Sequence, residues 1–216
     1  MQPLLQVQWL VRPLETPRPW LSCGRCGVRR PFVSSGKFRV NAQKKRIDAW
    51  LIYRCAHCDQ TWNFPVLERC LVSGIAPAML RALTENDAGL ARRHAFDLAR
   101  LGRHSSAIES FPDLHIEKRI LSACEGNLVS AEIRVVAPLP VEIRLDRFLA
   151  GQLGLSRGAI DWLAENWALV VQPAVKCPLS QVVRDGQRIW INLGTTGCGS
   201  DLLGRITGAG EADALP

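Results

Sequence analysis

No stretch of this sequence approaches the roughly 18 consecutive apolar residues that a membrane-spanning helix requires, so no membrane span is expected. The opening segment MQPLLQVQWLVRP is interrupted by Gln and bounded by Pro, unlike a secretory leader, and a cytoplasmic location is the expectation. The constellations of catalysis are scarce as well. There is no paired-carboxylate motif, no Ser/His/Asp set, no phosphate-cradling glycine loop and no open metal site. His94 and Asp97 lie one helical turn apart, but nothing else converges with them. An enzyme is therefore not the expected class. No internal repeat is visible.

What is present is a globular composition with a lopsided charge. The 216 residues are 47% hydrophobic and 22% charged, which suits one large domain or two to three small ones. The net charge is +7. Residues 1–65 hold eleven Lys/Arg against three Asp/Glu, while residues 66–138 balance at nine each. A basic excess concentrated this way favours a polyanionic partner.

Eight cysteines in a cytoplasmic chain are not expected to form a disulfide framework. Four of them fall in two knuckles, Cys23-Gly-Arg-Cys26-Gly and Cys55-Ala-His-Cys58-Asp, separated by 28 residues. Two intervening residues let both sulfurs of a knuckle face one cation, and Gly27 permits the tight turn behind them. Two knuckles supply four ligands, which suits a closed, tetrahedral, structural Zn2+ site at Cys23, Cys26, Cys55 and Cys58. A thioredoxin-like redox pair and an iron–sulfur centre use the same residues and remain as alternatives. His57 is expected to face solvent. Cys70, Cys124, Cys177 and Cys198 are scattered and read as inert thiols.

The segmentation follows hydrophobic period. Residues 1–67 read as a zinc-ribbon β domain. In it, IDAWLIYR places Ile47, Ala49, Leu51 and Tyr53 on one strand face, Asp48, Trp50, Ile52 and Arg54 on the other, and Lys44, Lys45 and Arg46 at a hairpin tip. Residues 68–138 read as a mainly helical middle with a closing strand at 130–138. Its Asn86/Asp87 break caps a second helix that Gly102 stops. Residues 139–193 read as an α-α-β-β module, and the Gly-rich stretch 194–216 as a mobile tail. The fold class expected is α+β.

Within IRLDRFLAGQLGLSRGAIDWLAENWALVV, Leu145, Phe148, Leu149 and Leu153 make one helical stripe that Gly154 ends. Ser156 caps a second helix with Ile160, Leu163, Ala164 and Trp167 on its stripe. Arg144 and Arg147 share a face away from the first stripe. Arg157 sits at a helix N-terminus, where phosphate is favoured by free N–H groups and by the helix dipole. An i,i+4 ion pair between Arg157 and Asp161 is the competing use of that guanidinium.

The order RLD, LxxxLGLSR, helix, strand and VRDGQRI resembles the RNA-binding domain of small-subunit ribosomal protein four, over about Ile143 to Asn192. The resemblance implies contacts to structured ribosomal or transfer RNA at Arg144, Arg147, Ser156, Arg157 and Lys176. Lys44, Lys45 and Arg46 of the basic hairpin are added as phosphate contacts on charge alone. Trp50, Trp62, Trp162 and Trp190 are candidates for stacking on unpaired bases, with ordinary packing as the alternative. Around KFRVN…DAWLIYRCAHCDQTWN the chain also resembles an uncharacterised bacterial family, domain of unknown function 1062, which carries no established activity. The reading is a zinc-stabilised, non-catalytic RNA-binding protein. A zinc-stapled protein-interaction adaptor and a thiol redox enzyme are the alternatives.

Overall fold

The computed structural model describes residues 4–123, 128–195 and 199–209. The chain forms two compact units, one of Glu15–Phe111 and one of Met1–Leu14 with Pro112–Pro216. In chain order, β1 (Leu4–Pro13) opens the second of these. The unit Glu15–Phe111 then contributes β2 (Arg18–Ser22), β3 (Arg29–Gln43), β4 (Arg46–Cys55), β5 (Thr61–Leu71), α1 (Pro77–Thr84), α2 (Ala88–Ala95), α3 (Leu98–His104) and β6 (Ile108–Glu109). The rest of the chain supplies β7 (Leu114–Ser122), β8 (Ser130–Val136), α4 (Leu145–Leu153), α5 (Arg157–Glu165), β9 (Leu169–Gln172), β10 (Arg188–Asn192) and α6 (Gly199–Thr207). The class is α+β, with two five-stranded sheets and six α-helices among the described residues. No helix among them is long and apolar enough to cross a membrane.

In the unit Glu15–Phe111 the strand order is β5-β4-β3-β2-β6, and all four neighbouring pairs are antiparallel. Gln43 faces Arg46 across a two-residue turn at Lys44 and Lys45. Alternation holds along β4, with Ile47, Ala49, Leu51 and Tyr53 buried, Asp48, Trp50 and Ile52 half-buried, and Arg54 exposed. Three short helices pack Leu83, Leu90, Ala91 and Leu101 into the same core as Phe32, Leu51, Tyr53 and Phe64. Each leucine or phenylalanine among them contributes about 1.5–3 kcal/mol on burial. Asp87 caps α2 by accepting from the Leu90 N–H at 2.6 Å. The helix expected to continue to Gly102 instead breaks at Phe96. Asp97 starts α3 by accepting from the Arg100 N–H, and α3 runs past Gly102 to His104.

The other unit has strand order β7-β1-β8-β10-β9. The strand β1 lies between β7, antiparallel, and β8, parallel. Its Leu5, Val7, Trp9 and Val11 alternate inward, and the Trp9 indole donates to the Ile206 carbonyl at 2.9 Å. The expected β domain of residues 1–67 is divided, because β1 finds its partners more than a hundred residues later. Local period shows a strand; it cannot show a distant partner.

The helices α4 and α5 lie where their stripes place them, burying Leu145, Phe148, Leu149 and Leu153, then Ile160 and Leu163. Trp167, expected on the second stripe, lies beyond α5 and is exposed. Gly154 is left-handed, φ +63°, and an added Cβ would fall 2.1 Å from the Arg205 guanidinium. Ser156 caps α5 through the Ala159 N–H at 3.1 Å. The mobile tail expected at 194–216 is corrected in its described part. Residues Gly199–Thr207 form α6, which buries Leu202 and Ile206 at i,i+4 spacing.

Candidate functional site

The two cysteine knuckles are built alike, bond for bond. In the first, the Cys23 N–H donates to the Val28 carbonyl at 3.0 Å and the Gly27 N–H to the Cys23 carbonyl at 2.9 Å. In the second, the Cys55 N–H donates to the Gln60 carbonyl at 2.9 Å and the Asp59 N–H to the Cys55 carbonyl at 3.1 Å. The residue after each second cysteine is left-handed, Gly27 at φ +70° and Asp59 at φ +58°. Glycine adopts that conformation freely, and Asp tolerates it better than most side chains. The knuckles sit at the β2–β3 and β4–β5 turns, and the pairing of Phe32 with Cys55 brings them together.

The four sulfurs of Cys23, Cys26, Cys55 and Cys58 lie within 4.8 Å of one another. Cys23 and Cys58 approach to 3.5 Å and Cys26 and Cys55 to 3.9 Å. A tetrahedron with metal–sulfur bonds of about 2.3 Å has edges of about 3.8 Å, so the cluster fits a four-thiolate cation site. A cation held there would have all four positions taken by protein, the arrangement of structural rather than catalytic sites. Burial works to raise the Cys23 thiol, but hydrogen bonds from the Cys26 backbone and the neighbouring thiols outweigh it and bring Cys23 down to about 7. Burial and the adjacent thiols push Cys26 up to about 12, and Cys58 is also raised. Four thiolates this close repel one another, and a divalent cation removes that conflict. His57, between two ligands, is exposed. Cys70 and Cys177 are free thiols away from the cluster, and Cys124 and Cys198 lie outside the described residues.

A dense cationic surface occupies the hairpin tip of the same unit. Lys44, Lys45 and Arg46 are exposed, and Arg69 joins them from β5 to wall a cavity of about 540 Å³. The Arg46 guanidinium donates to the Arg69 carbonyl at 2.7 Å, and the Arg69 N–H donates to Asp48 at 2.7 Å. Lys44 and Arg69 are both left-handed, φ +57° and +50°, where a non-glycine residue costs on the order of 1 kcal/mol. Arg69 was not singled out from the sequence. The cross-strand register that brings it to the tip is a long-range property.

In the other unit the expected cationic face is organised differently. Arg144 and Arg157 both bond the carboxylate of Asp146, at 3.0 Å and 2.7 Å, and Asp146 is buried with only 3% of its side chain exposed. The Arg147 N–H donates to the same carboxylate at 2.7 Å. Burial alone would raise Asp146, but the Arg147 N–H and the two guanidiniums hold it below the usual carboxylate range. The alternative pairing of Arg157 with Asp161 does not form; Asp146 takes its place. A second buried carboxylate, Glu132, likewise holds Arg134 at 3.2 Å and Arg188 at 3.8 Å. Arg147, Ser156 and Lys176 are exposed, and the Ser156 hydroxyl is committed to its helix cap. His94 and Asp97 do not act as a pair, since Asp97 caps α3 and faces Arg100. Burial first, then Arg100 and Arg93, hold the His94 pKa below its ordinary value, and Asp97 only partly opposes them.

Charge separates along the same division. Residues 15–111 carry sixteen Lys/Arg against eight Asp/Glu, a net +8, while the remaining residues carry eleven against twelve. Fold and site together define a two-unit α+β protein with a four-cysteine, metal-compatible centre in its basic unit. The chain belongs to the family described as protein of unknown function (DUF1062), whose model matches residues 40–174. That span includes Cys55 and Cys58 and ends just after β9. No curated protein and no solved structure matches the chain.

Proposed function

We propose that this is a cytoplasmic, zinc-stapled RNA-binding protein that contacts structured ribosomal or transfer RNA and catalyses no reaction. The observation that carries the reading is the net +8 of residues 15–111. It is strengthened by Lys44, Lys45, Arg46, Arg39 and Arg54, all exposed and none ion-paired among the described residues. Exposed, unpaired cations release counterions from phosphate on contact, and that release supplies most non-specific affinity for nucleic acid. Zinc at Cys23, Cys26, Cys55 and Cys58 holds the strands that present them. The C-terminal helices add Arg147 and the loop after β9 adds Lys176, with the outer edges of Arg144 and Arg157, whose side chains stay 53% and 60% exposed.

The test is binding of a hairpin RNA across a salt series. Replacing Lys44, Lys45 and Arg46 by Glu should weaken binding by about tenfold or more and flatten the salt slope by about two units. Arg147→Glu should have the smaller effect. Salt-independent binding, or none to total RNA in a crosslinking screen, would turn the reading to a protein-interaction adaptor. That second reading has its own support. Asp146 offsets the charge of the C-terminal guanidiniums, and Trp162 and Trp167 are 50% and 82% exposed at the end of α5. Large exposed aromatics of this kind anchor protein interfaces.

A further inference from the structure

The helices α4 and α5 end in the same backbone motif, but only α4 uses the residue that the motif favours. At the end of α4 the Leu155 N–H donates to the Ala150 carbonyl at 3.0 Å, and the left-handed residue is Gly154, φ +63°. At the end of α5 the Ala168 N–H donates to the Leu163 carbonyl at 2.8 Å, and the Trp167 N–H to the Ala164 carbonyl at 3.2 Å. The left-handed residue there is Trp167, φ +57°. Glycine is the usual occupant, because a Cβ crowds the neighbouring carbonyl in that conformation. Burial does not offset the strain, since Trp167 is 82% exposed. A second local preference is broken beside it. Glu165 is the last residue of α5, where the helix dipole favours a cation, and no basic residue stands in that turn.

Both departures fall where a second indole is exposed. At about 100° per residue, Asp161, Trp162 and Glu165 share one arc of α5, opposite the buried Ile160 and Leu163. All three are exposed, and Trp167 follows two residues after Glu165. The Asn166 side-chain amide donates to the Trp162 carbonyl at 2.8 Å and steadies the turn that joins the indoles. Asp161 and Glu165 have no ion pair among the described residues. The one cation of α5, Arg157, is bonded to Asp146 instead.

We infer that this end of α5 docks an arginine-bearing segment of a partner protein, with guanidinium groups stacked on Trp162 and Trp167 and paired with Asp161 and Glu165. A planar cation suits both kinds of group, because its face meets an indole while its N–H edge meets a carboxylate. The negative end of the helix dipole attracts the same charge. Charge complementarity favours such a segment over RNA, whose phosphates would meet two unpaired carboxylates on their way to the indoles. A wholly apolar partner would strip water from those carboxylates and leave them unpaired. Docking of this kind deepens the protein-interface reading of the two indoles and is independent of RNA binding by residues 15–111.

The experiment uses the full chain and the fluorescence anisotropy of three labelled peptides of equal length, in which glycine alternates with arginine, lysine or glutamate. A hairpin RNA, a single-stranded RNA and sedimentation of the chain alone form the second arm. The arginine peptide should bind about threefold or more tightly than the lysine peptide, and the glutamate peptide should not bind. Trp167→Gly should weaken the arginine peptide by about tenfold, while the urea midpoint stays level or rises because the left-handed position is relieved. Trp162→Ala should weaken it similarly. Asp161→Asn with Glu165→Gln should weaken it and flatten its salt dependence. Hairpin RNA should bind all variants alike. Arginine-peptide binding that both tryptophan variants leave unchanged overturns the docking, as does no binding at millimolar concentration. Loss of single-stranded RNA binding in those variants means that the indoles stack on bases, and overturns it too. Dimerisation of the native chain, abolished by Trp167→Gly, makes the occupant a second copy and likewise overturns it. Failure of hairpin RNA to bind removes the RNA reading and leaves the docking intact; failure of the peptide does the reverse.

Discussion

Arg157 places its Nη2 2.7 Å from Oδ2 of Asp146, eleven residues earlier, and thereby ties the start of α5 to the first turn of α4. The same carboxylate binds Arg144, so one buried acid joins two half-exposed cations. The arrangement stiffens the helix pair and leaves it less cationic than its sequence suggests.

Replacing Asp146 by Asn should therefore destabilise the unit it belongs to by about 1–3 kcal/mol, because two guanidiniums lose a desolvated partner. Urea denaturation at neutral pH measures this. The acid limb should change too. Asp146 has a depressed pKa, so its contribution is complete above the ordinary carboxylate value and is lost as pH falls through the lower, folded one. The native chain should lose stability below about pH 4, and Asp146→Asn should flatten that part of the profile.

If the four cysteines hold a cation, removing it should unfold the basic unit. Chelation, or Cys55→Ser, is expected to abolish its cooperative melting transition, since four-thiolate structural sites contribute about 10–16 kcal/mol of apparent binding free energy. Cys26, raised to about 12, must give up its proton to become a ligand, as must Cys58. Metal capture therefore releases protons, and apparent affinity should climb from pH 6.5 to 8.5 in competition with a chelator of known pH dependence. A flat profile would count against thiolate ligation by these residues.

Tyr53 offers a gain rather than a loss. Its hydroxyl is buried with no hydrogen-bond partner, and burial raises its pKa. Tyr53→Phe keeps the ring contacts with Trp62 and Phe64 and removes an unmet polar group. Stability should rise by about 1 kcal/mol or stay level. A loss above about 1 kcal/mol would mean that the hydroxyl has a partner after all.

Local features were legible and long-range ones were not. Both knuckles could be read because cysteine spacing and a left-handed residue act within six positions. The β3–β4 hairpin was legible from alternation, and α4 and α5 from Gly154 and Ser156. Asp146 stood in plain view in RLDR, yet its burial depends on how α4 lies against the chain around Val182, where Arg144 also bridges. The stripe rule treats an acid beside leucines as outward-facing, so the two arginines looked available. The helix α6 was hidden by its glycines, although Leu202 and Ile206 carried the spacing of a buried face. Arg69 reaches the hairpin tip through cross-strand register, which no single segment contains.

The strand β1 is the first element of its sheet to leave the ribosome, and both of its neighbours are encoded after residue 111. Throughout synthesis of the intervening segment, its alternating Leu5, Val7, Trp9 and Val11 have no finished sheet to enter. Residues 15–111, contiguous in the chain, can meanwhile close around their cysteines. Translation order thus makes the unit with the four-cysteine cluster the early one, while β1 gains its two neighbours only with β7 and β8 and the sheet its last strands with β9 and β10.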